Sequence, residues 1–167
     1  GTLRAFRWSP GDPAVELLDV LAGGDGSSAA FDISMDGSVI VGRSSSVSGP
    51  QAVVWADDTV TALDTGSDQL SSTALVVTAD GTVVAGNVTS EDPGGGDPTT
   101  QGFRWSSLDG IRLLDGIVTG LGGADETTVL GRAEDPGKAR YWQQDESLQL
   151  TATLTPEPAV QGLTLGT

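Results

Sequence analysis

Phe31-Asp32-Ile33-Ser34-Met35-Asp36-Gly37-Ser38-Val39-Ile40-Val41-Gly42 and Leu75-Val76-Val77-Thr78-Ala79-Asp80-Gly81-Thr82-Val83-Val84-Ala85-Gly86 superimpose without a gap. In each, Asp-Gly separates two runs rich in β-branched residues, which is the signature of a β-hairpin whose glycine accepts positive φ. The dipeptide reads as a two-residue type I′ turn. Pairing across it sets Ile33 opposite Ile40 and Val77 opposite Val84, on the same face in both copies. A third copy keeps the frame as Ala124-Asp125-Glu126-Thr127-Thr128-Val129-Leu130-Gly131, where Glu126 replaces the turn glycine and predicts a looser hairpin.

Working outward, each of the four tryptophans closes a short strand that begins with a small residue: Ala5 to Trp8, Ala52 to Trp55, Gly102 to Trp105 and Ala139 to Trp142. Side chains alternate along a strand, so the residue two before each tryptophan shares its face; in three of the four it is Phe or Val (Phe6, Val53, Phe103), which predicts that Trp and its partner point into the core. Some ten residues later a Leu-Asp step recurs as Leu18-Asp19, Leu63-Asp64 and Leu114-Asp115, with Leu148-Gln149-Leu150 in the fourth place. Recurrence argues that these aspartates bond turn amides rather than perform catalysis. Successive tryptophans lie 47, 50 and 37 residues apart, so each full unit holds a Trp strand, a Leu-Asp strand and two hairpin arms. Four short strands per unit of this length predict an all-β, propeller-like array of about four four-stranded antiparallel blades, the last incomplete. A β-sandwich is the alternative. The structural repeat residues are Trp8, Trp55, Trp105, Trp142, Asp36, Gly37, Gly42, Asp80, Gly81, Gly86 and Gly131.

Composition agrees with strands and turns: 24 Gly, 8 Pro, no Cys and no His in 167 residues. Without Cys there is neither a disulfide nor a thiolate metal site, and without His the commonest general base and zinc ligand are missing. The net charge of −15 repels phosphate backbones and anionic membrane surfaces, which argues against nucleic-acid and membrane partners. No apolar run is long enough to cross a membrane as a helix, and no signal peptide opens the chain. Because Gly1 to Trp8 already reads as part of a repeat, a processed or trimmed chain is expected.

The units resemble the HAF family of bacterial extracellular repeats, in which a small-aromatic-x-Trp strand, a Leu-Gly or Leu-Asp step and a Ser-Asp-Gly-x-Val-Val-Gly hairpin follow one another. The resemblance covers residues 1 to about 150 and implies export and a β-propeller-like architecture rather than any activity. Where that family places His before Ala-Phe, this chain has Arg4, Gln51, Gln101 and Lys138.

A first domain of residues 1–150 and a Thr/Pro-containing tail of 151–167 follow from this division. In the tail, Thr155-Pro156-Glu157-Pro158-Ala159 looks like the Pro-Glu-Pro box of the PEP-CTERM sorting signal, without the apolar helix and basic cluster that complete it. Pro156, Glu157 and Pro158 are the candidate sorting motif; the other readings are a Pro-bearing linker or a strand that returns to close the ring.

No side-chain cluster announces chemistry, and no catalytic or cofactor residue is assigned. The acidic, Gly-rich loop from Glu91 to Pro98 reads as solvated, with a Ca2+ site built from oxygen ligands as its alternative, and Asp57-Asp58 is a similar case. Asn87-Val88-Thr89 fits an N-glycosylation sequon. The chain therefore reads as a non-catalytic, secreted or cell-surface repeat protein of structural or adhesive role. An incomplete ring leaves strand edges through which copies would assemble into a homo-oligomer or filament. A carbohydrate- or cation-binding module of a larger secreted protein, with extracellular polysaccharide as partner, is the second reading, and a carboxylate-dependent hydrolase the third.

Overall fold

The computed structural model describes residues 1–66, 68–122, 128–132 and 139–142. Within them the chain is all-β, with thirteen strands and no helix: β1 (Phe6–Arg7), β2 (Glu16–Leu17), β3 (Ser28–Ile33), β4 (Val39–Ser46), β5 (Gly49–Ala56), β6 (Thr59–Ala62), β7 (Gln69–Val77), β8 (Val83–Ser90), β9 (Thr99–Ser106), β10 (Gly110–Leu114), β11 (Ile117–Gly122), β12 (Thr128–Arg132) and β13 (Ala139–Trp142). They form four antiparallel sheets in chain order: β1-β2, β3-β4-β5-β6, β7-β8-β9-β10 and β11-β12-β13. Two sheets are thus four-stranded, and among the described residues no strand of the first sheet pairs with one of the last.

The phase of the repeat differs from the sequence reading. A sheet begins with the Asp-Gly hairpin, continues through the Trp strand and ends at the Leu-Asp step, so Trp8 and Leu18 belong to a two-stranded half-sheet that precedes the first complete one. The chain crosses from one sheet to the next just after each Leu-Asp step, and the step is buried at Leu18, Leu63 and Leu114. Each of these leucines pairs with the small residue that starts its Trp strand: the Leu18 amide donates to the Ala5 carbonyl (2.9 Å), the Leu63 amide to the Ala52 carbonyl (2.8 Å), and Leu114 lies opposite Gly102.

Stacking explains why the strand centres are apolar without a break. On the second sheet Ile40, Val53 and Trp55 face back onto Ala5 and Leu18 of the half-sheet. Val41, Ala52, Val54 and Leu63, on the opposite face, meet Ala74, Val77, Val84, Val88 and Phe103 of the third sheet. Ala85 of that third sheet turns away, towards Leu114, Val118 and Val129. A sheet covered on both faces needs apolar residues at consecutive positions, and this is the pattern of Val39 to Val41 and Ala52 to Trp55.

The hairpin register is Ile33 opposite Ile40 and Val77 opposite Val84, with a bulge at the same place in both copies, between Ala30 and Asp32 and between Ala74 and Val76. The turn, however, is not the two-residue type I′ form. Ser34 and Thr78 still pair with Val39 and Val83, which leaves four loop residues, and only the glycine has positive φ, +76° at Gly37 and +72° at Gly81. Asp36 and Asp80 do not, whereas a type I′ turn needs positive φ at both central positions. That geometry occurs instead at Asp57 (50°) and Asp58 (55°), the two-residue connection from β5 to β6. The third hairpin's turn, from Ala124 to Thr127, lies outside the described residues, as do Leu148-Gln149-Leu150 and the whole tail with Pro156, Glu157 and Pro158.

Gly42 and Gly86 occupy equivalent points of closest approach between hairpin arms. A Cβ on Gly42 would overlap the carbonyl oxygen of Ala29, and one on Gly86 would overlap that of Thr73 and press on Phe103. Gly131, the third equivalent, lies on β12 opposite Val118 and Arg140.

Candidate functional site

The recurrent carboxylates are saturated by their own loops. Asp36 accepts from the Ser34 hydroxyl (2.7 Å), the Ser38 hydroxyl (2.8 Å) and the Ser38 amide (3.0 Å). Asp80 repeats the set with Thr78 and Thr82, at 2.6, 2.8 and 3.0 Å. Three donors stabilise the charged form, so the Asp36 carboxyl is held at about 2 and Asp80 is also lowered. The Ser34 hydroxyl meanwhile accepts from the Val39 amide (3.0 Å), and the Thr78 hydroxyl from the Val83 amide (3.0 Å), so each hydroxyl replaces a rung of the ladder. Asp25, bonded by the Ser27 hydroxyl and amide and by Ser45, is likewise held at about 2. Carboxylates ionised this firmly are poor proton donors near neutral pH.

A second recurrent set crosses from sheet to sheet. The Ser28 hydroxyl, at the start of β3, accepts from the Ala5 amide (3.0 Å), and its counterpart Ser72 accepts from the Ala52 amide (2.9 Å). At the third junction the Gly116 carbonyl takes this place and accepts from the Gly102 amide. The Trp55 indole N–H donates to the Asp19 carbonyl (2.7 Å), the Asp32 carboxylate accepts from the Val77 amide (2.8 Å), and the Leu21 amide donates to Ser44 (3.0 Å). Asn87 bridges the last described junction with both ends of its amide, donating to the Val118 carbonyl (3.1 Å) and accepting from the Val118 amide (2.8 Å). The nitrogen that a sequon would offer for glycosylation is therefore engaged in holding β8 to β11.

Between the half-sheet and the second sheet lies a polar cleft of about 140 Å3 lined by residues including Arg7, Glu16, Asp19, Trp55, Asp57 and Asp58. Arg7 donates twice to Glu16 (2.8 and 3.0 Å) and lies 3.7 Å from Asp58. The Glu16 carboxylate holds the guanidinium pKa above its ordinary value. The acidic loop is organised by Asp92, whose carboxylate accepts from the amides of Gly94 (2.9 Å) and Gly96 (3.0 Å). No three acidic side chains among the described residues come together as ligands for one ion.

The tryptophans diverge. Trp55 is 5% exposed and Trp105 is half-buried against the core, while Trp142 is described only by its place on β13. Trp8 departs from the sequence reading, being 53% exposed with its indole N–H on the Asp12 carbonyl (3.3 Å). Alternation puts Phe6, Trp8, Val15 and Leu17 on one face of the half-sheet, and all four are at least half exposed, whereas Ala5 and Leu18 on the other face are buried. The equivalents of Phe6 and Trp8 in the next unit, Val53 and Trp55, are packed because a sheet precedes them. Among the described residues nothing covers the face of Phe6 and Trp8.

No family model and no curated protein matches the chain. TolB from Acinetobacter baumannii is a solved structure similar to it, with 15% sequence identity and a TM-score of 0.46 over 77% of this chain. The matched region spans 31% of that protein's length. Among the described residues the arrangement thus combines repeated loop-closing and inter-sheet bonds, an acidic cleft and an exposed apolar face on the half-sheet.

Proposed function

We propose that this chain is a non-catalytic, extracellular or cell-surface repeat protein with a structural or adhesive role, its sheets forming part of a propeller-like array. The observation that carries the reading is the employment of the recurrent polar residues. Asp36 and Asp80 close their own loops, while Ser28, Ser72 and Trp55 link one sheet to the next. Among the described residues these side chains are committed to loop and inter-sheet partners, which supports a scaffold role.

Placement outside the cell rests on the resemblance of the Trp strand, Leu-Asp step and Asp-Gly hairpin to HAF repeats, and on the Pro156-Glu157-Pro158 box. A carbohydrate-binding module is the second reading, favoured by the polar cleft around Arg7 and by the exposed Trp8 ring near it in sequence. Incubation of the intact chain with a panel of soluble and insoluble polysaccharides separates the readings. The scaffold reading expects neither release of reducing ends nor retention on the glycans. Saturable retention lost in Arg7→Ala establishes the binding module, and turnover abolished by changing one aspartate establishes a hydrolase.

A further inference from the structure

Four Asp-Pro peptides punctuate the chain: Asp12-Pro13, Asp92-Pro93, Asp97-Pro98 and Asp135-Pro136, the last outside the described residues. In such a dipeptide the carboxylate can close a five-membered ring onto its own main-chain carbonyl carbon, and the nitrogen that must leave belongs to a tertiary amide. Closure requires that both groups of the aspartate turn freely towards each other.

The turns around Asp12 and Asp92 hold both groups in place. The Asp12 carboxylate accepts from the Ser9 amide (2.8 Å), and its carbonyl accepts from the Trp8 indole N–H (3.3 Å). One oxygen of the Asp92 carboxylate accepts from the Gly94 amide (2.9 Å) and the other from the Gly96 amide (3.0 Å), while its carbonyl accepts from the Gly95 amide (2.9 Å). Asp97 differs. It and Pro98 are exposed, and among the described residues neither its carboxylate nor its carbonyl has a hydrogen-bond or ion-pair partner. Glu91 and Asp92 are the other titratable groups of this loop, and no Lys or Arg falls within it.

We propose that Asp97-Pro98 is a self-processing site, at which the chain cuts its own backbone in mild acid and remains assembled as two pieces. A carboxylate oxygen of Asp97 forms a bond to the Asp97 main-chain carbonyl carbon, giving a cyclic anhydride. The bond from that carbon to the Pro98 nitrogen breaks, and the nitrogen keeps the electron pair, takes a proton from the acid and leaves as a secondary amine. Water then opens the anhydride to two carboxyl groups, so the net reaction is hydrolysis of one peptide bond. The cut falls between β8 and β9, which pair at eight positions from Val83 with Ser106 to Ser90 with Thr99, and Phe103 of β9 is fully buried in the core. Residues 1–97 and 98–167 are therefore held together by the sheet after the bond is gone, with a new N-terminus at Pro98.

The test is the intact chain held at about pH 4, above the acid limit set by the hairpin carboxylates, in buffer and in unfolding urea, with each cut assigned by fragment mass. In buffer the expected result is release of 1–97 and 98–167 about tenfold or more faster than cleavage after Asp12 or Asp92. Light scattering of the cut sample in buffer is expected to give the mass of the uncut chain until denaturant separates the pieces. In urea the turns are gone, and the three bonds are expected to break at similar rates. Asp97→Glu keeps the charge but would need a larger ring, and it is expected to abolish the cut with the melting temperature unchanged. Cleavage after Asp12 or Asp92 as fast as after Asp97 in the folded chain overturns the proposal, as does a folded chain that stays whole at Asp97 while the urea sample is cut. Separation of the two pieces in buffer overturns the assembled two-piece form. A cut that persists in Asp97→Glu overturns the Asp97 carboxylate as the attacking group.

Discussion

The indole N–H of Trp55 donates to the backbone carbonyl of Asp19 across the junction between the half-sheet and the first complete sheet, at 2.7 Å. Two motif residues 36 positions apart, the Trp of one unit and the Asp of the Leu-Asp step before it, are thereby tied together. The aspartate contributes its main chain, and Asp19 is also among the residues that line the acidic cleft. Trp55→Phe keeps most of the apolar contact and removes the donor. The expected loss is about 0.5–1.5 kcal/mol, the net worth of one hydrogen bond to a carbonyl of an exposed residue, measured by thermal or denaturant unfolding. Trp8→Phe, on an exposed ring, is expected within about 0.5 kcal/mol of the parent.

Gly42 and Gly86 are required by crowding, with no demand from φ. Gly42→Ala and Gly86→Ala each force a methyl into a backbone carbonyl and are expected to destabilise by about 2–3 kcal/mol. Gly120→Ala is the control, since a Cβ there meets nothing within 4 Å. Equal melting temperatures for all three variants would refute the close-approach account.

The hairpin carboxylates set an acid limit. Asp36 and Asp25 are held at about 2 in the folded chain against the ordinary aspartate value of 3.8, so the stabilisation they give is fully present above about pH 4. It is lost as pH falls from 4 towards 2, because protonation then favours the unfolded chain. Asp80 shifts in the same direction and adds to the effect. Melting temperature followed from pH 7 to pH 2 is expected to fall mainly over that last interval. Asp36→Asn/Asp80→Asn lowers the neutral-pH value and flattens the acid limb.

Asn87 is a structural bridge and not a glycan acceptor. Expressed in a glycosylating host, the chain is expected to show no added mass at the Asn87-Val88-Thr89 sequon. Asn87→Ala, which orphans both the amide and the carbonyl of Val118, costs about 2–4 kcal/mol. Asn87→Asp keeps the acceptor, loses the donor and falls between the two.

How much of this was legible in the sequence depends on what each residue's partner is. The facing of Ile33 with Ile40 and of Val77 with Val84 followed from residue type and period alone, because an apolar face has only one register that buries it. The turn type did not. Asp-Gly marks a turn, yet Ser34 and Thr78 supply hydroxyls that replace a ladder rung and open the loop to four residues, a choice made by side-chain bonds that a dipeptide does not display. Asp57-Asp58 hid the type I′ turn behind its charge. The phase of the sheets was equally hidden, since four strands in sequence can be cut into sheets at any of four places and the crossover after the Leu-Asp step decides it. Trp8 was misplaced for a related reason: alternation assigns a face, but whether that face is covered depends on a neighbouring sheet. The inter-sheet bonds of Ser28, Ser72, Asp32 and Asn87 were missed altogether, although Ser28 and Ser72 occupy equivalent positions before the two aligned hairpins.

The central claim is that successive sheets are locked to one another by these bonds. Amide hydrogen exchange at Ala5, Ala52, Val77 and Val118 tests it most directly, because each of these N–H groups donates to a side chain on a different sheet. The account predicts protection at all four comparable to that of Ile40 and Val84 within the sheets. Exchange at these four amides as fast as in an unstructured peptide, with Ile40 and Val84 still protected, would contradict it.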